Sequence, residues 1–213
     1  MVEPVRKRLT REESRAQTRE RLLDAAIDLF IKVGIDATSI EDVAEAAGYS
    51  RGAFYSNFES KDDLVCAALQ RDIDQSHDEL GALFDQPIPT AERLRLVRQY
   101  YVALSSDEAG CMLWMAMQLY ALRNPAAQPR IAELLRLDRE RVVGYVVRMF
   151  ADLGVPPPAP PEVLAISFIA QAQGIAIARM VDPTWMSIQQ FEQVLGAYFD
   201  SLIPPGLARH DVQ

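Results

Sequence analysis

The sequence predicts an all-α protein of about nine helices, with a three-helix helix-turn-helix unit at the N-terminus and a longer antiparallel helical half behind it. Three observations carry this. Apolar residues recur three and four apart along most of the chain, and no run alternates apolar and polar as a half-buried strand would. Ser, Thr or Asp precedes most of these runs and Gly or Pro follows them, which are the residues that start and stop helices. The 213 residues, 49% hydrophobic and 24% charged, also supply enough apolar side chains for a sizeable core.

Taken in order, residues 1–13 read as a flexible basic arm. A first helix over 14–33 carries Leu22, Leu23, Ala26, Ile27, Phe30 and Val33 in one stripe and is closed by Gly34. Residues 38–61, TSIEDVAEAAGYSRGAFYSNFESK, are the centre of the chain. Thr38 and Ser39 are placed to cap a helix whose first turn holds Glu41 and Asp42, and Gly48 ends it. Ser50 caps a second short helix whose apolar residues are Phe54 and Phe58, leaving Ser50, Arg51, Gly52, Ala53, Tyr55, Ser56 and Asn57 facing outward. Two short helices across a Gly turn form a helix-turn-helix pattern.

A long helix over 61–83 follows, with Ser60 and Asp63 at its start and Gln86-Pro87-Ile88-Pro89 at its end. Thr90 is expected to cap a helix to Leu104, and 105–110 to form a polar break. Further helices are expected at 111–123, 128–153, 162–181 and 185–202, with the proline-rich VPPPAPP stretch at 155–161 as a stiff linker. The 162–181 helix is long enough to span a membrane, but Gln171, Gln173 and Arg179 lie within it and no aromatic belt flanks it, so it is read as a bundle helix. The expected division is therefore 1–13 arm, 14–60 helix-turn-helix domain, 61–204 helical domain and 205–213 tail.

Charge separates the two ends. The net charge is −8, yet residues 1–21 carry seven basic side chains (Arg6, Lys7, Arg8, Arg11, Arg15, Arg19, Arg21) against four acids. Residues 62–213 carry 12 basic against 19 acidic side chains. Affinity for a polyanion is thus expected from the N-terminal end and not from overall charge.

The density of these signals makes residues 18–70 resemble the N-terminal domain of the tetracycline repressor (TetR/AcrR) family of transcriptional regulators. The residues that carry the likeness are RLLDAAIDLFIKVGIDATSIEDVAEAAGYSRGAFYSNFESKDDL. The resemblance implies a homodimeric regulator, a repressor by family default, that binds double-stranded DNA at an inverted repeat and is released by a small hydrophobic ligand. The DNA-facing set is then Thr38, Ser39, Ser50, Arg51, Gly52, Ala53, Tyr55, Ser56, Asn57 and Lys61. Within it Arg51 suits a guanine edge, Ala53 a thymine methyl, and Thr38 a phosphate through its hydroxyl and helix terminus. Tyr55 and Lys61 are phosphate contacts by the resemblance. Asn57 departs from the aromatic or histidine residue that relatives often carry.

The resemblance also assigns the C-terminal half to dimerisation and ligand binding. Candidate ligand residues are His77, Tyr100, Tyr101, Met112, Trp114, Met115, Gln118, Tyr145 and Met149, since Met and flat aromatics suit a hydrophobic ligand. The last two helices carry many small and apolar residues and are expected to pair with those of a second copy. No membrane, metal or cofactor is implied, and the charged N-terminus fits a cytoplasmic protein. An activator, or a regulator without a ligand, remains open on the same fold. An enzyme is disfavoured because the only histidines, His77 and His210, lie in no base–nucleophile or metal pattern. A thiol sensor at Cys66 or Cys111 is disfavoured by their apolar contexts.

Overall fold

The computed structural model describes residues 10–203, and among these every regular element is a helix. They are α1 (Arg11–Val33), α2 (Ile40–Ala46), α3 (Arg51–Tyr55), α4 (Lys61–Asp85), α5 (Thr90–Ser106), α6 (Glu108–Arg123), α7 (Gln128–Leu153), α8 (Pro161–Val181) and α9 (Ile188–Ser201). The expected all-α architecture with an N-terminal helix-turn-helix is what the chain adopts. Arg6, Lys7 and Arg8 of the expected arm, and the 205–213 tail with His210, lie outside the described residues.

Several boundaries differ from expectation for local reasons. α1 begins at Arg11 and not at Ser14, because Thr10 and Glu13 form a reciprocal capping box. Arg11 is therefore helical, not part of an arm. Thr90 is the first residue of α5 and does not cap it; Pro89 stands at the cap position, where its missing N–H costs nothing. The expected break at 105–110 contracts to Asp107, which ends α5 and caps α6 by accepting from the Ala109 N–H. α9 starts at Ile188 and not at Trp185, because Ser187 and Gln190 form another capping box.

The helix-turn-helix is held by its turn and its core. After α2 the Tyr49 N–H donates to the Ala44 carbonyl and the Gly48 N–H to that of Glu45, with Gly48 at φ 75°. That is a Schellman closure, and it needs the left-handed residue that Gly supplies cheaply. Phe54 and Phe58, 0% and 1% exposed, pack in one cluster with Leu22, Leu23, Ala26, Phe30 and Val43. A helix as short as α3 has no stability of its own, so this burial is what fixes it.

α4 joins the two ends of the molecule. Its 25 residues span roughly 37 Å at 1.5 Å per residue. Its first half supplies Leu64, Val65, Ala68, Leu69 and Ile73 to the core beneath α1–α3, together with Leu113, Met117 and Tyr120 of α6 and Ile131 of α7. Its far end places Phe84 in a second cluster with Met149, Phe150, Leu164, Phe168 and Phe199. α8 packs most extensively on α7 and also touches α5, α6 and α9. It is long and apolar enough to cross a membrane by length and composition, and only 22% of its most apolar window is buried within the single chain.

Candidate nucleic-acid interface and ligand cavity

The outward face of α3 carries Arg51, Gly52, Tyr55 and Ser56, all exposed. The Ser50 hydroxyl accepts from the Ala53 N–H, so it serves as the helix cap. Arg51 is already engaged. Its guanidinium lies 2.8 Å from the Glu41 carboxylate of α2 and 3.3 Å from the Tyr55 hydroxyl, above the Tyr55 ring. The Tyr55 phenol and Glu41 raise its already high pKa, so it stays a cation throughout the ordinary pH range. A fully exposed pair of this kind contributes little stability, and the guanidinium is free to exchange a carboxylate for a base edge.

Other residues of the expected DNA-facing set are occupied elsewhere. Thr38 is 2% exposed and its hydroxyl donates to the Gly34 carbonyl at 2.8 Å, so it closes the α1–α2 turn. Ser39 alone caps α2, in a capping box with Asp42. Ala53 is half-buried. Asn57 is turned back on its own helix, its amide donating to the Ala53 carbonyl at 2.8 Å. The Asn57 carbonyl accepts from Arg19 of α1, whose guanidinium covers the Phe58 ring at 4.2 Å. Arg19, counted with the basic N-terminal residues, is thus a brace for the end of the helix-turn-helix.

Lys61 is half-buried at the start of α4. Its amine faces the Asp36 carbonyl at 3.4 Å and the Tyr120 ring at 5.9 Å, and burial lowers its pKa. It sits in a cluster that sequence reasoning missed. The Tyr120 hydroxyl of α6 donates to Asp62 at 2.5 Å, Arg130 of α7 pairs with Asp63 at 3.1 Å, and Arg123 pairs with Asp36 at 3.3 Å. Burial and then the Asp62 carboxylate raise the Tyr120 pKa, so the phenol keeps its proton. Long-range pairs of this kind leave no periodic signal; only the run of polar residues flanking the apolar stretch of α6 hints at them.

Behind this cluster lies a cavity of about 630 Å³ between α4, α5, α6, α7 and α8. Seven expected ligand residues line it: Tyr100, Tyr101, Trp114, Met115, Gln118, Tyr145 and Met149. Met112 does not, since it faces outward at 37% exposure. His77 does not either. It is buried behind the wall, 2.9 Å from Asp138, with its ring stacked on Tyr145. Three tyrosine hydroxyls are spent on wall carbonyls: Tyr100 on Ser76, Tyr101 on Phe168 and Tyr145 on His77. Burial pushes the Tyr100 phenol up to about 12 and raises that of Tyr101 further. The rings therefore present neutral, fixed faces to the cavity.

The lining residues that sequence reasoning missed include Asp72, Ser76 and Glu79 of α4 and Phe168, Ile169 and Gln173 of α8. Positions 72, 76 and 79 share one helical face, a spacing visible in the sequence beside an apolar stripe. Both cysteines are free, Cys66 buried and Cys111 half-buried, and burial raises the pKa of each. Neither is therefore an activated thiolate.

This arrangement can be compared with known proteins. Residues 22–68 match the family described as bacterial regulatory proteins, tetR family. The chain is 46% identical over 57 residues to the HTH-type transcriptional regulator YwcC of Bacillus subtilis, a stretch covering 27% of this chain and only 26% of that one. It is 24% identical over 198 residues to the HTH-type transcriptional repressor DhaR of Mycobacterium sp., covering 90% and 95%. The crystal structure of FadR from Bacillus subtilis in complex with stearoyl-CoA has the same fold, with TM-score 0.68 at 15% identity, covering 87% and 99%. These relatives are regulators and not enzymes, and the match falls on the helices that hold Phe54 and Phe58 in place beneath Arg51: residues 22–68 of the chain match the tetR family of bacterial regulatory proteins.

Proposed function

We propose that the protein is a homodimeric, sequence-specific DNA-binding regulator in the cytoplasm, a repressor that leaves an inverted-repeat operator when a small, largely apolar molecule fills the cavity. The observation that carries this reading is the pairing of an exposed face on α3 with a partly open cavity, connected by one helix. α3 is immobilised by Phe54 and Phe58, so Arg51, Gly52 and Tyr55 present a fixed surface to a major groove. α4 begins at the Lys61–Asp63 cluster against α6 and α7 and lines the cavity through Asp72, Ser76 and Glu79. A ligand that favours one tilt of α4 changes the spacing of two recognition helices, and DNA affinity falls by its differential affinity for the two states.

Dimerisation is supported by an uncovered apolar stripe on α8. Val163, Ile166, Ala170, Gly174 and Val181 are exposed and recur three, four and seven apart. Small residues in such a stripe allow close approach of a second copy's helices, and a dimer doubles the DNA contacts that a chain of net charge −8 otherwise lacks. A neighbour of the same fold holds stearoyl-CoA, which fits a small-molecule role for the corresponding half here. The test is selection of bound duplexes from a random pool with the full chain. An inverted-repeat consensus is expected, and binding without sequence preference contradicts the reading.

A further inference from the structure

The cavity walls carry an uneven distribution of charge. Asp72, Glu79, Asp107 and Asp138 line it, and among the described residues no Lys or Arg does. The four carboxylates differ in what they already hold. Asp138 faces His77 at 2.9 Å, and Asp107 caps α6. Asp72 and Glu79 form no ion pair among the described residues. Asp72 is half-buried beside the Trp114 indole, while Glu79 is exposed on its outer side and receives only the Gln75 amide at 3.2 Å.

The contrast along α4 is sharp. Asp63, Asp74 and Asp85, turned toward α7, are each paired with an arginine: Arg130 at 3.1 Å, Arg141 at 2.8 Å and Arg148 at 2.9 Å. Asp72 and Glu79, seven residues apart and hence on one face, are turned toward the cavity and have no ion-pair partner among the described residues. Aromatic faces surround the same space, from Tyr100, Tyr101, Trp114 and Tyr145.

We infer that the cavity is built for an organic cation, an apolar body carrying one quaternary or protonated centre, which Asp72 holds against the aromatic wall with Glu79 as the second carboxylate. This rests on the reading of the cavity as a ligand site. A neutral apolar guest would strip water from the Asp72 carboxylate and give nothing back. A cation removes that cost and adds attraction to the ring faces. The acidic balance of the chain draws such molecules toward it.

The test compares tetraphenylphosphonium with triphenylphosphine oxide, a neutral molecule of similar aromatic bulk. Fluorescence of Trp114 is followed in a Trp185→Phe background, since these are the chain's two tryptophans and Trp185 is exposed. The cation is expected to bind about tenfold more tightly or better, a preference of about 1.4 kcal/mol. Asp72→Asn should abolish that preference, weakening the cation and strengthening the oxide, and Glu79→Gln should reduce it. A thermal melt of each variant reports that it is folded. If the oxide binds as well as the cation, or Asp72→Asn keeps the preference, the charge assignment is overturned and the cavity remains a ligand site. If neither probe binds the folded protein, the reading of the cavity as a ligand site falls as well.

Discussion

The Tyr120 hydroxyl in the last turn of α6 donates to the Asp62 carboxylate in the first turn of α4, 2.5 Å away. One end of α6 is therefore tied to the helix that leaves the DNA-reading unit. Two turns earlier on α6, Trp114 and Met115 line the cavity. Removing the hydroxyl in Tyr120→Phe keeps the packed ring and leaves Asp62, which is half-exposed, to water. The expected cost is about 1.5 kcal/mol, at the low end for a hydrogen bond to a charged group. Urea unfolding measures it as a lower midpoint at unchanged slope. In the proposed mechanism the same variant also shows a smaller change of DNA affinity on ligand binding.

Phe54 and Phe58 anchor α3 from below and touch each other, with ring centroids 5.6 Å apart. Phe54→Ala is expected to cost about 3–5 kcal/mol through lost transfer energy and a cavity that so short a helix cannot close. Denaturant titration should show this loss, and binding to every duplex should fall together because the reading face is no longer held.

Gly52 separates a fold role from an interface role. A Cβ at this position meets only the Ser50 hydroxyl oxygen, at 3.6 Å, which is ordinary contact, and φ is not positive. Gly52→Ala should therefore leave stability unchanged or raise it by up to about 1 kcal/mol. If the backbone here approaches DNA closely, the added methyl lowers affinity by about tenfold, or 1.4 kcal/mol. Melting temperature and duplex titration on one preparation distinguish the two effects.

Asp72 gives a pH signature. Burial raises its pKa, opposed by the Trp114 indole, with Asp107 and Asp138 raising it and Arg71 lowering it as smaller effects. The folded chain thus holds this proton more firmly than the unfolded one. The resulting stabilisation is full below the ordinary carboxyl value of about 3.9 and is lost as pH rises through the folded value. Asp72→Asn, which mimics the protonated form, should raise the melting temperature at neutral pH. That gain should shrink toward zero as pH falls below the carboxylate range. A gain independent of pH contradicts the assignment.

Much of the fold is legible in the sequence because its signals are local. Gly48, Ser50 and the Phe54–Phe58 pair announce the helix-turn-helix, and apolar periodicity announces the long helices. Errors arose where one residue does two jobs, as Asp107 does between α5 and α6, or where a cap lies one turn early, as Thr10 does. The exposure of Arg51, Gly52 and Tyr55 is legible in the sequence, but the inward turn of Thr38 and Asn57 is not, because a short polar side chain satisfies a nearby carbonyl as readily as it faces solvent. The cavity announces itself through its aromatics and methionines, and its carboxylates do not. Asp72 and Asp74 look alike in sequence, and only the arginines brought up by α7 tell them apart.

The central claim is that the exposed face of α3 reads base sequence through Arg51, now held by Glu41 at 2.8 Å. Its most direct test is titration of wild type and Arg51→Ala against a selected duplex and a scrambled one at fixed salt. The account predicts that wild type discriminates and that Arg51→Ala loses about 1–3 kcal/mol of discrimination while remaining folded. Discrimination by Arg51→Ala equal to that of wild type would contradict it.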